Sequence, residues 1–232
     1  MRKLVFILSV MSASVAWAQT NIGNQAPAAK PTAASKPTAI IDTTAGKMTC
    51  TLFPDKAPIG VANFIGLATG TKDWRSPVGT TKHGAPLYDG TVFHRVIPEF
   101  MIQGGDPAGT GSGPDPVPPF GIEVSRDLLF DRPGRLAYAK TSQPISISSQ
   151  FFITEVATPH LNGKYTIFGQ CDDATVELVK KIARMARDPQ TDLPFRPVKI
   201  NHITIIQSGT AAKPAAPATA KPVAPKAPAA SN

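Results

Sequence analysis

The chain has 232 residues, 42% of them hydrophobic and 17% charged, which is enough to bury one good core and too short for two large domains. Its formal net charge of +8 resides in the ends: seven of the 24 cations lie outside residues 39–208, where the remaining 17 meet all 16 acids. A nearly neutral folded part with no cluster of Lys and Arg interleaved with aromatics speaks against nucleic-acid binding.

In chain order, Arg2-Lys3, an apolar run of 12 residues from Leu4 to Val15, and Ala16-Trp17-Ala18 form the three parts of a secretory signal cleaved near Gln19. The run is too short for the roughly 20 residues that span a bilayer, so residues 1–18 are expected to be removed and to leave no transmembrane anchor. Export to a periplasm is the expectation, with full secretion as the alternative. Export also bears on Cys50 and Cys171, which stand 121 positions apart at apolar strand positions. The simpler reading is a pair of buried thiols; a disulfide is the alternative, and sequence alone does not reveal the Cα separation that decides it.

Residues 19–38 are polar and Pro/Ala-rich, a linker. Ala39–Asp42 and Lys47–Phe53 then read as a hairpin through Thr43-Thr44-Ala45-Gly46, with Met48, Cys50 and Leu52 alternating against Thr49 and Thr51. Pro58–Thr69 reads as a helix, with Val61, Phe64, Ile65 and Ala68 at helical spacing and Gly70 as a left-handed cap. Residues 71–90 have no period and read as a loop packed by its aromatics.

The next stretch, Phe93-His94-Arg95-Val96-Ile97-Pro98-Glu99-Phe100-Met101-Ile102-Gln103-Gly104-Gly105-Asp106, alternates, breaks at Pro98, resumes as an apolar run and stops at two glycines. It reads as a bent strand pair, Val92–Ile97 and Met101–Gly104, with Phe93, Arg95 and Ile97 on one face and His94 and Val96 on the other. Arg95 therefore needs a partner among apolar neighbours. Phe100 and Met101 supply soft apolar surface and Gln103 an amide that donates and accepts. Cation, apolar wall and amide together suit a small apolar ring attached to a peptide bond.

Residues 107–119 alternate Gly and Pro and read as a long exposed loop. Gly109-Thr110-Gly111-Ser112-Gly113 lacks the Gly-Lys-Ser/Thr of a phosphate loop. Strands recur at Arg135–Ala139, Gln150–Thr154 and Thr166–Gln170. Asp173–Arg187 is the clearest helix, with Asp172 or Asp173 as N-cap, Val176, Val179, Ile182, Ala183 and Ala186 on one side, Glu177 four residues before Lys181, and Arg184 and Arg187 at its C-terminal end. Lys199–Gln207 is the last strand. Residues 209–232 are an Ala/Pro/Lys-rich tail, read as extended and solvated, with weak attachment to an anionic envelope surface as the functional alternative. About eight strands and two helices favour a mainly β fold, a closed eight-stranded antiparallel β-barrel capped by two α-helices.

Four stretches in this order carry a resemblance: Phe93–Asp106; Asp131-Arg132-Pro133-Gly134 leading into Leu136–Ala139; Ser149-Gln150-Phe151-Phe152-Ile153; and Leu161-Asn162-Gly163-Lys164-Tyr165 running into Phe168-Gly169. Together they resemble the cyclophilins, the cyclosporin-binding peptidyl-prolyl cis-trans isomerases, over roughly residues 39–208. The resemblance implies the same capped barrel, an isomerase domain at 39–208, no cofactor and no metal. It implies a monomer whose partners are proline-containing peptides and unfolded exported proteins. Arg95, Gln103 and Phe100 are implied as catalytic. Met101, Ala139, Phe152, Leu161, Tyr165 and His160 are implied as substrate-binding. Where the best-known eukaryotic pattern has tryptophan before the leucine and histidine after Gly-Lys, this chain has His160 and Tyr165. Tyr165 keeps an aromatic wall, as in bacterial members, while His160 puts cyclosporin binding in doubt.

Other chemistries find less support. His83, His94, His160 and His202 show no metal-ligand spacing. Ser149, His94 and Asp106 could be strung into a hydrolase triad, but no nucleophile elbow surrounds the serine. His94 reads instead as an inward-facing histidine with its hydrogen bonds satisfied. A non-catalytic proline-peptide binder is the rival reading, and Arg95 argues against it because binding alone does not need that donor.

Overall fold

A computed structural model describes residues 36–207. The expected signal segment, all but the last residues of the expected linker, and the expected tail lie outside the described residues, which belong to one compact unit running on from Ser35.

The hairpin consists of β1 (Thr38–Thr43) and β2 (Gly46–Leu52), and Met48, Cys50 and Leu52 are fully buried on one face as the alternation requires. Pairing starts inside the stretch expected to be linker, because the Pro37 carbonyl accepts from the Leu52 amide at 2.7 Å. Helix α1 (Pro58–Thr69) ends at Gly70, whose φ of 72° is the left-handed cap. Ala57 offers no side-chain cap at its start. The Glu123 carboxylate supplies one from a distant loop, accepting from the amides of Ile59 and Gly60 at 3.0 and 2.7 Å.

The remaining strands are β3 (Trp74–Arg75), β4 (Thr81–Lys82), β5 (Arg95–Ile97), β6 (Met101–Gly104), β7 (Phe120–Gly121), β8 (Arg135–Tyr138), β9 (Ile145–Ile147), β10 (Phe151–Thr154), β11 (Ile167–Cys171) and β12 (Ile200–Ile206). Eight of them form one sheet in the order β12-β1-β2-β11-β8-β10-β6-β5, antiparallel throughout, while β3–β4, inside the stretch expected to be loop, and β7–β9, which the sequence did not mark, are separate pairs.

The expected closed barrel is corrected: the sheet is an open, curled half-barrel. Its edge strands β5 and β12 share no ladder, and the gap between them is crossed by isolated bridges from Val92 to Asp106 and to Lys199. The cause is local. A continuous strand from Val92 would send Phe93 and Val96 to opposite faces, yet both enter the interior core. The alternation therefore breaks at His94, β5 is cut to three residues, and Phe93 does not share the face of Arg95 and Ile97 as the sequence suggested.

Helix α2 (Asp173–Ala183) starts on Asp172, whose side chain accepts from the Thr175 amide at 2.8 Å. It stops four residues before the expected Arg187. Arg184 turns to the buried Glu155 and Arg187 to Asp192, and Glu177 pairs with Lys180 rather than Lys181. Buried Val176, Val179, Ile182 and Ala183 place the helix on the sheet.

The interior core runs from Ile41 and Leu52 through Phe64, Tyr88, Phe93, Phe151 and Phe168 to Ile203. Cys50 and Cys171 are directly opposite in the β2–β11 register and form a disulfide, which corrects the simpler reading of two free thiols. In an antiparallel sheet a cross-strand pair brings two side chains from distant parts of the chain onto one face.

Candidate active site

Strands β8 and β10 are buried on both faces, reading Arg-Leu-Ala-Tyr and Phe-Phe-Ile-Thr. Successive side chains point to opposite sides, so Phe151 and Ile153 join the interior core while Phe152 joins a second apolar cluster with Met101, Ala137, Leu161 and Ile167. That second cluster needs its own cover, and Phe130 supplies it. The Phe130 ring stacks on Phe152 at 6.0 Å with 11° between planes, and Tyr165 meets both rings edge-on.

Phe130 is held by the sequence motifs themselves. Its amide donates to Asn162 Oδ1 at 2.7 Å. The buried Arg135 guanidinium binds the Leu129 carbonyl at 2.7 Å and the Asp131 carboxylate at 2.8 Å. Arg132 and Arg135 hold the Asp131 carboxyl well below the usual carboxylate range. The Asp-Arg-Pro-Gly motif thus builds the wall behind the site and takes no place in it.

The bend between β5 and β6 places Phe100. Glu99 sits at φ 57° and donates its amide to the buried Glu155 carboxylate at 2.9 Å, while the Glu155 amide donates to the Phe100 carbonyl at 2.8 Å. Arg95 and Gln103 lie opposite each other in the β5–β6 register, so both point to the outer face. Gln103 Nε2 donates to Gln150 Oε1 at 2.9 Å, and Gln150 Nε2 to the Gly111 carbonyl at 3.2 Å, a relay that orients the Gln103 amide. The partner Arg95 needs is Asp192, with Nε 3.5 Å from Oδ2.

These groups enclose a pocket of about 120 Å³ lined by Arg95, Phe100, Met101, Gln103, Ala139, Lys140, Phe152, Leu161 and Tyr165. Eight of the nine site residues expected from sequence meet there. His160 does not line it: exposed on a short 3-10 turn, Pro159–Leu161, it lies at the rim with its ring 5.8 Å from that of Phe100. A larger hollow of about 460 Å³ adjoins across Gln103, Ala139 and Lys140 and is walled by residues 111–116 and 146–150.

The 111–116 side of that wall belongs to the expected long loop, which carries no helix or strand and is buried only at Pro116 and Val117. Asp106 is buried, and its carboxylate accepts from the amides of Ala108, Thr110 and Gly111 at 2.9, 3.0 and 2.7 Å. Burial works to raise its pKa, but those three donors together with His94 hold it below the ordinary value. Gly105, at φ 84°, lets the chain turn there, since a Cβ would come within 2.8 Å of the Ser149 carbonyl.

No triad forms. Ser149 Oγ donates to the Gly105 carbonyl at 2.7 Å, and Asp106 is committed to backbone amides. His94 is buried, but the expectation that it is satisfied is corrected: neither ring nitrogen reaches hydrogen-bond geometry, although the Val92 backbone and the Gln150 side chain lie close. Burial pushes its pKa below the ordinary value. Sequence reading missed Lys140, Gln150 and Asp192. The first two carried a signal, since Lys140 directly follows Ala139 and Gln150 lies inside the third motif. Asp192 carried none, because its link to Arg95 exists only in three dimensions.

Among the described residues no group of three or more His, Cys, Asp or Glu is placed to hold a metal ion, and no helix is long and apolar enough to cross a membrane.

The fold and pocket define a class: a curled antiparallel sheet carrying an apolar hollow for a small ring, with a cation and an amide at its edge. The family model for "Cyclophilin type peptidyl-prolyl cis-trans isomerase/CLD" matches residues 38–205, and the chain belongs to that family. It is 48% identical over 169 residues to peptidyl-prolyl cis-trans isomerase A of Mycobacterium tuberculosis, covering 72% of this chain and 91% of that protein. It is 43% identical over 168 residues to peptidyl-prolyl cis-trans isomerase B of Streptomyces anulatus, covering 72% and 95%. The fold is similar to the crystal structure of a Cryptosporidium parvum cyclophilin-type isomerase, with a TM-score of 0.63 at 31% identity over 74% of this chain and 97% of that one. It is also similar to a crystal structure of that isomerase in the presence of the dipeptide Ala-Pro, with a TM-score of 0.61 at 32% identity over 73% and 98%. The protein is a peptidyl-prolyl cis-trans isomerase.

Proposed function

We propose that this isomerase is exported, works in the periplasm as a monomer, and speeds rotation about X-Pro bonds in exported proteins as they fold. Arg95 donates to the prolyl nitrogen in the twisted state. The barrier is amide resonance, about 18–20 kcal/mol, so no nucleophile, metal or cofactor is required. In the twisted state the nitrogen becomes pyramidal and its lone pair, no longer shared with the carbonyl, is localised on it, and a donor that meets it only then lowers the barrier without tightening the ground state. An acceleration of about 10⁴-fold corresponds to roughly 6 kcal/mol, of which one preorganised donor in an apolar site contributes about 3–4.

The observation that carries this reading is the placement of the half-buried Arg95 at the edge of the apolar pocket, on the same face as Gln103. The proline ring enters against Phe100, Met101, Phe152 and Leu161, Gln103 takes the substrate backbone, and the flanking chain runs across Ala139 into the adjoining hollow. The similar crystal structure obtained in the presence of Ala-Pro is in keeping with such a ligand. Export is supported by the signal-like residues 1–18 and by the Cys50–Cys171 disulfide, a bond that persists in oxidising compartments.

Two measurements test it. Purified protein should accelerate cis-trans exchange of an Ala-Pro peptide in the presence of a chelator. Protein recovered from cells should begin near Gln19 and fractionate with the periplasm; full-length protein in the cytosol would contradict the export reading.

A further inference from the structure

We infer that Asp192 is a positioning residue for the reaction, holding the Arg95 guanidinium at the edge of the pocket; this rests on the proposal that Arg95 donates to the prolyl nitrogen. Asp192 lies in the irregular stretch between α2 and β12, and the structure fixes it to β5 twice. Its backbone carbonyl accepts from the Val96 amide at 3.0 Å, and its Oδ2 lies 3.5 Å from Arg95 Nε. The residue is itself held in place. Its amide donates to the Asp188 carbonyl at 2.9 Å, the Asp188 amide donates to the Leu193 carbonyl at 2.9 Å, and Arg187 Nε donates to Oδ1 at 3.1 Å. One carboxylate therefore joins two guanidinium groups, one oxygen to each.

The backbone at Asp192 has φ 59°, in the left-handed region where glycine is the usual residue. Aspartate enters that region more readily than most residues other than glycine, and its backbone hydrogen bonds to Asp188 and Val96 hold it there. Its effect on Arg95 is mechanical. Arginine has many rotamers, and the Arg95 side chain is 42% exposed, so packing alone does not choose among them. The contact engages Nε, the nitrogen nearest the stem, and the two terminal nitrogens lie beyond it. The Asp192 side chain is only 23% exposed and bound on its other oxygen, so it is the fixed member of the pair. A half-exposed ion pair adds little to stability; its effect falls on how often the donor is in place when the bond twists.

The test uses the full chain and a short Pro peptide, with kcat and KM measured separately for wild type, Asp192→Asn, Asp192→Glu, Arg95→Ala and the Arg95→Ala/Asp192→Asn double variant. Asp192→Asn keeps the size of the side chain and removes its charge. It is expected to lower kcat about fivefold with KM within about twofold, and Asp192→Glu to recover part of the loss. In the Arg95→Ala background the same substitution should change nothing, because it acts through the missing guanidinium. An unchanged kcat in Asp192→Asn, or a loss that persists without Arg95, overturns the inference. Should Asp192→Asn fail to fold, relaxation of the Arg95 Nε–H signal in the wild type decides: order close to that of the backbone supports the pairing, and mobility like that of an exposed arginine overturns it. Full turnover in Arg95→Ala would overturn the underlying mechanism, and the inference with it, and is told apart by that single variant.

Discussion

Cys50 and Cys171 face each other across adjacent antiparallel strands, and the disulfide between them ties the first hairpin to the strand that enters α2. It spans 121 positions of sequence, a long loop to close in the unfolded chain.

The bond should therefore matter to stability and not to chemistry. Replacing both cysteines with alanine is expected to lower unfolding free energy by about 2–5 kcal/mol. Turnover of a short Pro peptide at 25 °C should stay within twofold of wild type, since neither sulfur lines the pocket. Parallel denaturant titrations and isomerisation assays check both halves; an activity loss in a folded double variant would place the disulfide in the function of the site.

His94 is expected to make stability depend on pH. Burial lowers its pKa, with the Arg95 charge acting in the same direction and Asp106, the Val92 backbone and Gln150 opposing. The folded state holds the imidazole neutral while the unfolded state takes up a proton below the ordinary histidine value of about 6.5. Its contribution is thus fully present above that pH and is lost as the pH falls from there through the depressed folded value. His94→Phe keeps a flat ring against Gly111, where a Cβ would meet the imidazole at 2.9 Å. Urea titrations from pH 8 to 5 should show a shallower fall in stability for the variant; equal slopes would mean His94 takes no part.

His160 bears on drug binding. The family resemblance gives tight cyclosporin binders a tryptophan at this position that covers the drug and offers its indole N–H, and this chain has a smaller ring, exposed at the rim beside Phe100. Losing such an anchor costs on the order of 2 kcal/mol, about thirtyfold in affinity. The unmodified protein is expected to bind cyclosporin weakly, and His160→Trp to tighten it by about that factor with turnover little changed. Nanomolar inhibition of the unmodified protein would refute this.

What sequence could show follows from where each interaction lives. Pro58 and Gly70 bound α1 because a helix start and stop are local events, and Met48, Cys50 and Leu52 face inward because alternation is local. Eight of the expected site residues meet in one pocket because short ordered motifs carry them, and Asn162, Phe130 and Phe152 then lock those motifs together. The rest depends on geometry between distant segments. Edge pairing leaves the sheet open where the count of strands suggested closure, and Arg184, past the end of the helix, pairs with Glu155. Neighbours that lie close but out of hydrogen-bond geometry leave the buried His94 ring nitrogens unsatisfied, and a loop with no period brings Asp192 to Arg95.

If Arg95 acts in the twisted state and not in ground-state binding, its loss should slow turnover and spare affinity. The most direct test is kcat of Arg95→Ala on a short Pro peptide, set beside its Kd for the same peptide. The expected result is a fall in kcat of about 10²- to 10³-fold with Kd within a few-fold of wild type. Equal turnover in the two proteins, or a loss found entirely in Kd, would contradict it.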